Sequence, residues 1–258
     1  MKQPQSLGRT LCILALIALF INCSHPKGNS DTKNPPPLDN PPSNGGDCIG
    51  VPKIKKEVDL VSINQTNPEI FVSLAYARSD NFMHEVLYLK WKEAYLQKPV
   101  ALMLNKAQER LTFLKPGLHL LVYDAARPLS VQQHMWDALD SIPVKERVKF
   151  VSSPRGKSLH NLGCAVDLTI CDAKGIPLDM GAGFDDIRLI AYPMYEAKYL
   201  SEGALTNDQI ANRKMLRSVM RYAGFSGIPT EWWHFNAYSK KEALERFQVI
   251  ETEESIDQ

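Results

Sequence analysis

The distribution of apolar and polar residues changes along the chain, and three stretches have the pattern of a β-strand. Residues 118–124, LHLLVYD, are mostly apolar and follow a helix-breaking Pro-Gly pair, which indicates a buried strand. Residues 69–77 are rich in β-branched and aromatic side chains, which also predicts a strand. In residues 164–170, CAVDLTI, apolar side chains alternate with a second set that includes Asp167. These stretches predict a sheet with a buried centre.

Five stretches have the apolar spacing or the end signals of helices. They are residues 84–96, 100–114, 128–140, 206–222 and 239–247. The fourth begins with Thr206 and Gln209, which have the spacing of a capping box, and Gly224 suits the position after its end. Because strands and helices are interspersed without the regular spacing of βαβ units, the pattern predicts the α+β fold class.

Length and composition limit the classes of protein to which the chain can belong. Its 258 residues include 44% apolar and 23% charged side chains, which is the balance of a globular domain with a sizeable core. The net charge is +1, so the chain has no positive field of the kind that binds nucleic acid. Composition does not indicate a substrate, so the function has to be inferred from individual residues.

The first part of the sequence resembles a bacterial export signal with a lipid attachment site. Lys2 and Arg9 precede the apolar run TLCILALIALFINC, which is shorter than the ~20 residues that span a bilayer but fits the core of a signal peptide. The run ends in FINC, which resembles a relaxed lipobox. We therefore predict a signal peptide over residues 1–22 and acylation of Cys23. An ordinary signal peptide followed by a coincidental cysteine is the alternative.

The segment after Cys23 has the composition of a flexible tether. Residues 23–50 are rich in Pro, Asn, Ser and Gly and contain few apolar side chains that could repay the entropy of ordering. The predicted organisation is therefore a lipid-anchored tether, a folded domain over residues 51–250 and a disordered tail over residues 251–258. A lipid anchor would place the domain in the bacterial cell envelope, facing the periplasm or the exterior.

The other cysteines of the predicted mature chain do not indicate a disulfide framework. Three cysteines remain, Cys48, Cys164 and Cys171, so the mature chain can form one disulfide at most among them. Cys164 and Cys171 would lie on opposite faces of the strand predicted between them, which argues against a bond joining those two. The chain has no CxxC pair, so its sequence does not favour a cysteine zinc site.

Two histidines and one aspartate have the composition of a catalytic metal site. His160 lies in a loop rich in Gly and Ser, seven residues before Asp167. A buried carboxylate must be paired or bind a cation, although this spacing alone is a weak signal. His234 offers a third ligand, and two imidazoles with one carboxylate leave a fourth position for water, as in catalytic zinc sites. Ordinary hydrogen-bonded histidines are the alternative.

The stretch TEWWHFN, residues 230–236, places a second carboxylate close to His234. Glu231 could take a proton from a water molecule whose pKa is lowered by zinc. In a regular strand, however, Glu231 and His234 would point to opposite faces because side chains alternate. They can reach one metal only if the segment bends within EWWH. Otherwise, Glu231 would cap or pair with an arginine, and His234 would donate to a carbonyl.

Arg127 follows the strand at residues 118–124 in the sequence YDAARP, on a turn that Pro128 restricts. A guanidinium group remains charged and presents a rigid fork of donors, so it can polarise a carbonyl and stabilise a developing oxyanion. A salt-bridged surface arginine is the alternative interpretation.

Together these segments resemble the D-alanyl-D-alanine dipeptidase family, the VanX-type zinc peptidases of the Hedgehog-like fold group. The resemblance extends over approximately residues 59–247. The matching motifs, in chain order, are AYARSDNF, YDAARP, SLHNLGCAVDLTI, MGAGFDD and NRKMLRSVMRYAGFSGIPTEWWHF. The resemblance implies an α+β domain with a small, central, mainly antiparallel sheet flanked by helices. It also implies zinc-dependent hydrolysis of D-Ala-D-Ala or a closely related D-amino-acid dipeptide from cell-wall metabolism.

The matching positions carry the family's functional residues. The resemblance implies one Zn²⁺ ion per chain bound by His160, Asp167 and His234, with Glu231 as general base and Arg127 as the oxyanion-stabilising group. It further implies that Ser158 and Tyr76 help to hold the substrate, and that Asp124 and Asp185 support or orient the groups around it.

Two alternatives and two departures accompany this resemblance. One alternative is a D,D-carboxypeptidase or endopeptidase that trims longer peptidoglycan stem peptides by the same chemistry. The other is a zinc-containing peptidoglycan-binding domain that does not catalyse a reaction. The chain has Ala125-Ala126 where the family commonly has Gly-Tyr, and Asn161-Leu162 where it often has Ser-Arg. These departures raise the question of whether pocket size and end-group recognition differ.

Overall fold

The described part of the chain, residues 58–256 of a computed structural model, is built around a sheet of five strands. The strands of this described part, in chain order, are β1 (Leu60–Ser62), β2 (Phe71–Val72), β3 (Tyr95–Gln97), β4 (Leu118–Asp124), β5 (Ala165–Asp172), β6 (Ser226–Gly227) and β7 (His234–Asn236). The central sheet has the order β2-β4-β5-β7-β6, and β1 pairs with β3 in a separate ribbon. Only the β2–β4 pairing in the central sheet is parallel, so the predicted mainly antiparallel sheet is confirmed.

Helices flank the sheets and confirm the predicted α+β class. They are α1 (Ile63–Thr66), α2 (Lys98–Leu114), α3 (Leu129–Ala138), α4 (Val144–Arg147), α5 (Glu196–Ser201), α6 (Asn207–Tyr222) and α7 (Lys240–Arg246). The capping box of α6 is present, because Thr206 and Gln209 each bond the other's backbone N–H. Ser239 and Glu242 form a second capping box at the start of α7. The longest helix, α2, packs against both α6 and β4.

The central strand β5 is covered on both faces. Every residue from Ala165 to Cys171 is buried, including Asp167 and Thr169. Its neighbours β4 and β7 contribute further buried side chains, such as Leu120 and Phe235. A carboxylate in such a strand has lost most of its contact with water, so the groups around Asp167 determine its charge.

The polarity of the strands brings several chain segments to one end of the sheet. Asp124 at the end of β4 lies opposite Asp167 near the start of β5, and His234 of β7 also lies opposite Asp167. Since β2 runs parallel to β4, the chain also leaves β2 at this end. The segments that follow β2, β4 and β7 therefore meet the segment that precedes β5.

Two predicted elements differ from the structure. Residues 84–96 were expected to be helical, and this prediction is wrong. His84 has a φ of 55°, and the backbone N–H groups of Leu87 and Tyr88 both donate to the carbonyl of Tyr76 instead of to carbonyls of the preceding turn. The strand predicted over residues 69–77 is confined to β2, because the chain turns into a short 3-10 helix, Ala75–Ala77.

The end of the domain also differs from the predicted disordered tail. Residues Glu253–Ile256 form a 3-10 turn. The carboxylate of Glu253 accepts hydrogen bonds from the backbone N–H groups of Leu89, Lys90 and Trp91. The tail thus satisfies the donors of the segment for which a helix was expected.

The predicted signal peptide over residues 1–22, the acylation site Cys23, the tether over residues 23–50 and Cys48 lie outside the described residues. Within residues 58–256, no helix has both the length and the apolar character needed to cross a bilayer. Cys164 and Cys171 are both buried and free, so they are not joined to each other.

Candidate metal centre and active site

Three predicted ligands come together at the end of the sheet. His160 lies in a 3-10 turn before β5, Asp167 lies on β5, and His234 begins β7. One ligand atom from each residue lies within 4.8 Å of the other two. His160 and Asp167 are buried, and 12% of the His234 side chain is exposed. Residues far apart in sequence thus form one compact donor cluster.

Hydrogen bonds outside the cluster fix how the two imidazole rings face it. His160 Nδ1 lies 2.6 Å from the carbonyl oxygen of Ala125, and His234 Nε2 lies 2.8 Å from Oδ1 of Asn236. Since both oxygens are acceptors, these two ring nitrogens carry protons. When both rings are neutral, the remaining nitrogens, Nε2 of His160 and Nδ1 of His234, therefore face each other with lone pairs.

The donor set fits a zinc ion. The facing nitrogens of His160 and His234 are 3.2 Å apart, and Asp167 lies 3.4 Å from the first and 2.9 Å from the second. Two imidazole lone pairs and a carboxylate repel one another unless a positive charge lies among them. A second bond from each ligating imidazole to a protein oxygen is also the usual support of metal-binding histidines.

The electrostatics of the cluster favour a cation at the same place. Burial opposes the charge of Asp167, but His160 and His234 overcome this effect and hold its pKa well below the ordinary value. Burial likewise opposes a charged His234, yet its hydrogen bond to Asp167 raises the pKa of the imidazole to about 9. Without a metal, a proton on His234 supplies the positive charge that the carboxylate requires.

The bend expected within EWWH is present. Trp232 and Trp233 form a bend just before β7, and both indoles are buried, with ring centroids 5.5 Å apart. The bend brings Glu231 Oε2 to 3.9 Å from His234 Nδ1, which a straight strand would not allow. Burial raises the pKa of Glu231 although 39% of its side chain remains exposed in the cavity. The two tryptophans thus hold an acid beside the metal cluster.

Arg127 is held beside the cluster by a buried carboxylate. Its Nε and Nη2 atoms donate to Oδ2 of Asp124 at 2.9 and 2.6 Å, and Tyr88 donates to the other oxygen of Asp124 at 2.5 Å. Arg127 Nη2 also lies 3.7 Å from Asp167. Burial opposes the charge of Arg127, but Asp124 keeps the pKa above its ordinary value. Arg127 is thus a fixed positive charge, not a solvated surface arginine.

Tyr76 and Asp185 form a second polar pair. The Tyr76 hydroxyl donates to Oδ2 of Asp185 at 3.0 Å, and the guanidinium of Arg127 lies 5.1 Å from the centre of the Tyr76 ring. Burial, followed by the negative charge of Asp167, raises the pKa of Asp185 to about 8. Asp185 also has a φ of 59°, a rare conformation for a non-glycine residue.

A cavity of about 480 Å³ joins these groups. This volume falls within the range of small-molecule sites. Its walls include eight of the predicted site residues: Tyr76, Arg127, Ser158, His160, Asp167, Asp185, Glu231 and His234. Asp124 is fully buried behind Arg127 and does not line the cavity.

Comparison with known sequences identifies the family. The profile of Peptidase_M15, described as D-ala-D-ala dipeptidase, matches residues 56–251. The chain belongs to this family. The D-alanyl-D-alanine dipeptidase of Escherichia coli (strain K12) is 32% identical over 177 residues, which cover 69% of this chain and 83% of that protein. The enzyme of the same name from Synechocystis sp. is 29% identical over 168 residues, which cover 55% and 68%, respectively.

Among solved structures, the LdcB LD-carboxypeptidase aligns with a TM-score of 0.42 and 19% identity over 75% of this chain and 74% of that one. Membership of the Peptidase_M15 family makes the chain a zinc-dependent metallopeptidase.

The two departures from the family's motifs do not alter the cavity wall. Ala125, Ala126, Asn161 and Leu162 are all buried, and none of them lines the cavity. Ala125 supports His160 through its carbonyl oxygen, which any residue could provide. Asn161 donates to the carbonyl of Arg127 at 2.8 Å and accepts from Ser158 N at 2.7 Å. These departures therefore lie behind the wall of the candidate site, in the residues that support it.

Sequence reasoning missed three supporting residues. Asn236 orients His234, Tyr88 holds Asp124, and Asn161 ties together the loops of Arg127 and Ser158. Asn236 had a detectable signal, since a residue two positions along a strand shares the face of His234. Tyr88 and Asn161 act through contacts that no local spacing indicates.

Proposed function

We propose that this chain hydrolyses D-Ala-D-Ala, or a closely related D-amino-acid dipeptide from cell-wall metabolism, with one zinc ion bound by His160, Asp167 and His234. The observation that carries the proposal is the convergence of these three donors beside Glu231, whose Oε2 the bend at residues 232–233 brings to 3.9 Å from His234 Nδ1. A structural zinc site would need neither Glu231 nor Arg127 at this position.

Glu231 is the general base of the proposed reaction. Zinc bound at the cluster would supply a Lewis acid that polarises the scissile carbonyl and lowers the pKa of water. Glu231 takes a proton from the attacking water and returns it to the leaving amine. The raised pKa of Glu231 suits this task, because a stronger base accepts the proton more readily near neutral pH.

Arg127 stabilises the negative charge that develops on the carbonyl oxygen. Asp124 accepts from Nε and Nη2 of this guanidinium, so its donors are oriented before the substrate arrives. A preorganised charge in a buried site does not have to reorient during the reaction, which makes its contribution large.

Tyr76, Asp185 and Ser158 hold the substrate. Asp185 faces the cavity, and a substrate ammonium group beside it would favour its carboxylate form over the protonated form. The Ser158 hydroxyl accepts a hydrogen bond from the backbone N–H of His160 at 3.3 Å, which leaves its own proton free for the substrate. Asp124 acts indirectly, through Arg127.

Hydrolysis of D-Ala-D-Ala by zinc-loaded protein, measured beside metal content, tests the proposal. Wild type should bind one zinc ion per chain and release D-alanine, whereas Glu231→Gln should keep the zinc and lose ~10²–10⁴-fold in kcat. L-Ala-L-Ala serves as the stereochemical control. Equal activity of wild type and Glu231→Gln would contradict the assignment. Faster cleavage of a stem pentapeptide than of the dipeptide would favour the carboxypeptidase alternative.

We also propose that Cys23 carries a lipid and anchors the domain in the bacterial cell envelope. The support is the apolar run at residues 10–22, the lipobox-like FINC and the polar tether that follows. Incorporation of labelled palmitate by the full chain, and its loss with Cys23→Ala, is the expected result. Membrane association that persists unchanged in Cys23→Ala would refute a lipid anchor at this residue.

A further inference from the structure

Two lysines of the cavity wall have no part in the reaction described above. Lys157 lies in the loop before Ser158, and Lys240 is the first residue of α7. Within residues 58–256, neither side chain forms an ion pair or a hydrogen bond with the protein. The third lysine of the cavity, Lys149, differs because it pairs with Glu146. Lys157 and Lys240 therefore bring two uncompensated positive charges to the cavity.

The backbone holds Lys157 in an unusual conformation. Its φ of 57° and ψ of 129° are rarely adopted by a residue with a side chain, and such strain costs roughly 1–3 kcal/mol. The conformation is maintained on both sides, since Lys157 N donates to the carbonyl of Pro154 and Ser158 N donates to Asn161. A residue with a long charged side chain thus occupies a position that would suit glycine.

Lys240 belongs to a different part of the chain, but its side chain reaches the loop that carries Lys157. Its Nζ atom lies 3.8 Å from the position that a Cβ atom on Gly156 would occupy. The ammonium group of Lys240 therefore rests beside the residue that precedes Lys157. Two positive charges close to one part of the wall create a potential that favours an anion there.

The order of the strands separates these lysines from the acidic part of the cavity. Tyr76, the partner of Asp185, follows β2, whereas Lys240 follows β7. Three strand spacings separate β2 and β7, or about 14 Å. An extended dipeptide spans about 7 Å, and long side chains on both sides can cover the remaining distance. Asp185 and Lys240 thus approach the cavity from different strands of the sheet, a separation that suits the two charged ends of a zwitterion.

We propose that Lys157 and Lys240 bind the terminal carboxylate of the substrate and make this peptidase selective for peptides with a free carboxyl end. This assignment rests on the proposed function, in which the ammonium end of the dipeptide lies at Asp185. The lysines fix the direction in which the substrate lies across the metal cluster, since the reverse direction would place like charges together at both ends.

The test compares a charged substrate with a neutral one. Lys157→Gln and Lys240→Gln keep the length of the side chains and remove the charge, and Lys241→Gln is the matched control because Lys241 does not line the cavity. KM and kcat are measured for D-Ala-D-Ala and for its carboxamide, D-alanyl-D-alaninamide. The Kd of D-Ala-D-Ala is measured in the Glu231→Gln background, where turnover does not interfere.

Each cavity variant should raise KM and Kd for D-Ala-D-Ala about tenfold, with a much smaller change in kcat. The same variants should change KM for the carboxamide much less, because that substrate has no charge to lose. Unchanged Kd and KM for D-Ala-D-Ala, or equal losses for both substrates, would overturn the lysine assignment while leaving the proposed function intact. Absence of D-Ala-D-Ala turnover in wild type would instead overturn the proposed function, and the lysine assignment with it.

Discussion

Nε2 of His160 and Nδ1 of His234 lie 3.2 Å apart, and the second nitrogen of each ring is bonded to an oxygen of the protein. For His160 this oxygen is a backbone carbonyl, which no substitution removes. For His234 it is Oδ1 of Asn236, which comes from a side chain. The metal cluster therefore has one orienting contact that mutation can delete without changing a ligand.

Asn236→Ala should weaken zinc binding about 10–100-fold, the usual effect of removing such a supporting group. Asn236→Asp should retain binding, because a carboxylate accepts the same hydrogen bond from His234 Nε2. Zinc affinity is measured by competition with a chromogenic chelator, with Asn64→Ala as a control in α1. An unchanged zinc affinity in Asn236→Ala would show that His234 does not depend on this contact.

Because Asp124 and Arg127 form a buried ion pair, we expect substitution of Arg127 to reduce stability as well as catalysis. Asp124 is fully buried, and Arg127→Ala would leave its carboxylate with one side-chain hydrogen bond, from Tyr88, and with His160 Nδ1 at 3.6 Å. Removing one member of a buried pair costs about 3–5 kcal/mol, so urea unfolding should shift strongly. Asp124→Asn in the same chain should recover part of the loss, because it removes the unpaired charge.

Arg127→Lys separates the two effects. A lysine can pair with Asp124 and preserve much of the stability, but it lacks the fork that accommodates both Asp124 and the substrate. We expect kcat to fall ~10²–10³-fold while the urea midpoint moves less than it does for Arg127→Ala. Equal kcat in wild type and Arg127→Lys would exclude a role that depends on the guanidinium.

Glu253 provides a test of the docked end of the domain. Its carboxylate accepts from three consecutive backbone N–H groups at residues 89–91, which have no helical partners. Glu253→Ala should lower the free energy of unfolding by about 1–3 kcal/mol, since these donors lose a charged acceptor. Glu254→Ala, which removes an exposed pair with Lys90, is the matched control and should remain close to wild type. Equal stability of both variants would indicate that the tail does not hold this segment.

Patterns confined to one element predicted most of the sheet and the helix ends. The apolar run of β4, the alternation of β5 and the capping residues of α6 are local signals, and the structure contains all three. The failed helix over residues 84–96 has helix-like spacing, but its N–H groups find acceptors at Tyr76 and Glu253. Contacts between residues so distant in sequence leave no periodicity to detect.

In the candidate site, too, local sequence patterns predicted some features, and contacts between distant residues determined the others. The proposed ligands and the proposed base belong to short motifs, and the bend within EWWH was predicted from a spacing that a straight strand could not satisfy. The contact of Tyr88 with Asp124 joins residues 36 positions apart, and the carbonyl of Ala125 supports His160 whatever side chain it carries. The contacts that support the site therefore could not be predicted from local sequence, whereas its chemistry could be inferred from residue types.

The buried cysteines should be chemically inert in the folded chain. Burial raises the pKa of the Cys164 thiol to about 12 and that of the Cys171 thiol to about 11. Because the thiolate is the reactive form, both should resist iodoacetamide at pH 8 and react only after unfolding in urea. Peptide mass spectrometry distinguishes the two sites. Rapid labelling of either residue in the folded protein would contradict the burial on which its pKa depends.

Asp185 predicts how stability changes with pH in protein from which zinc has been removed by a chelator. Burial and then the charge of Asp167 raise its pKa to about 8, although Tyr76 and Arg127 act in the opposite direction and Asp124 adds to the increase. The folded state therefore holds this proton more tightly than the unfolded state, whose carboxyl has a pKa near 3.8. The stabilisation is fully present below about pH 4 and is lost as pH rises towards about 8.

Asp185→Asn removes this titration, so the stability of wild type relative to the variant should fall by up to ~5 kcal/mol between pH 4 and pH 8. Urea unfolding at several pH values measures the difference. Asp186→Asn is the matched control, because the hydrogen bond from Arg188 lowers the pKa of Asp186. Its contribution is present above the ordinary pKa of an aspartate and is lost as pH falls, so its slope has the opposite sign. Parallel pH profiles for wild type and Asp185→Asn would mean that Asp185 titrates alike in the folded and unfolded states.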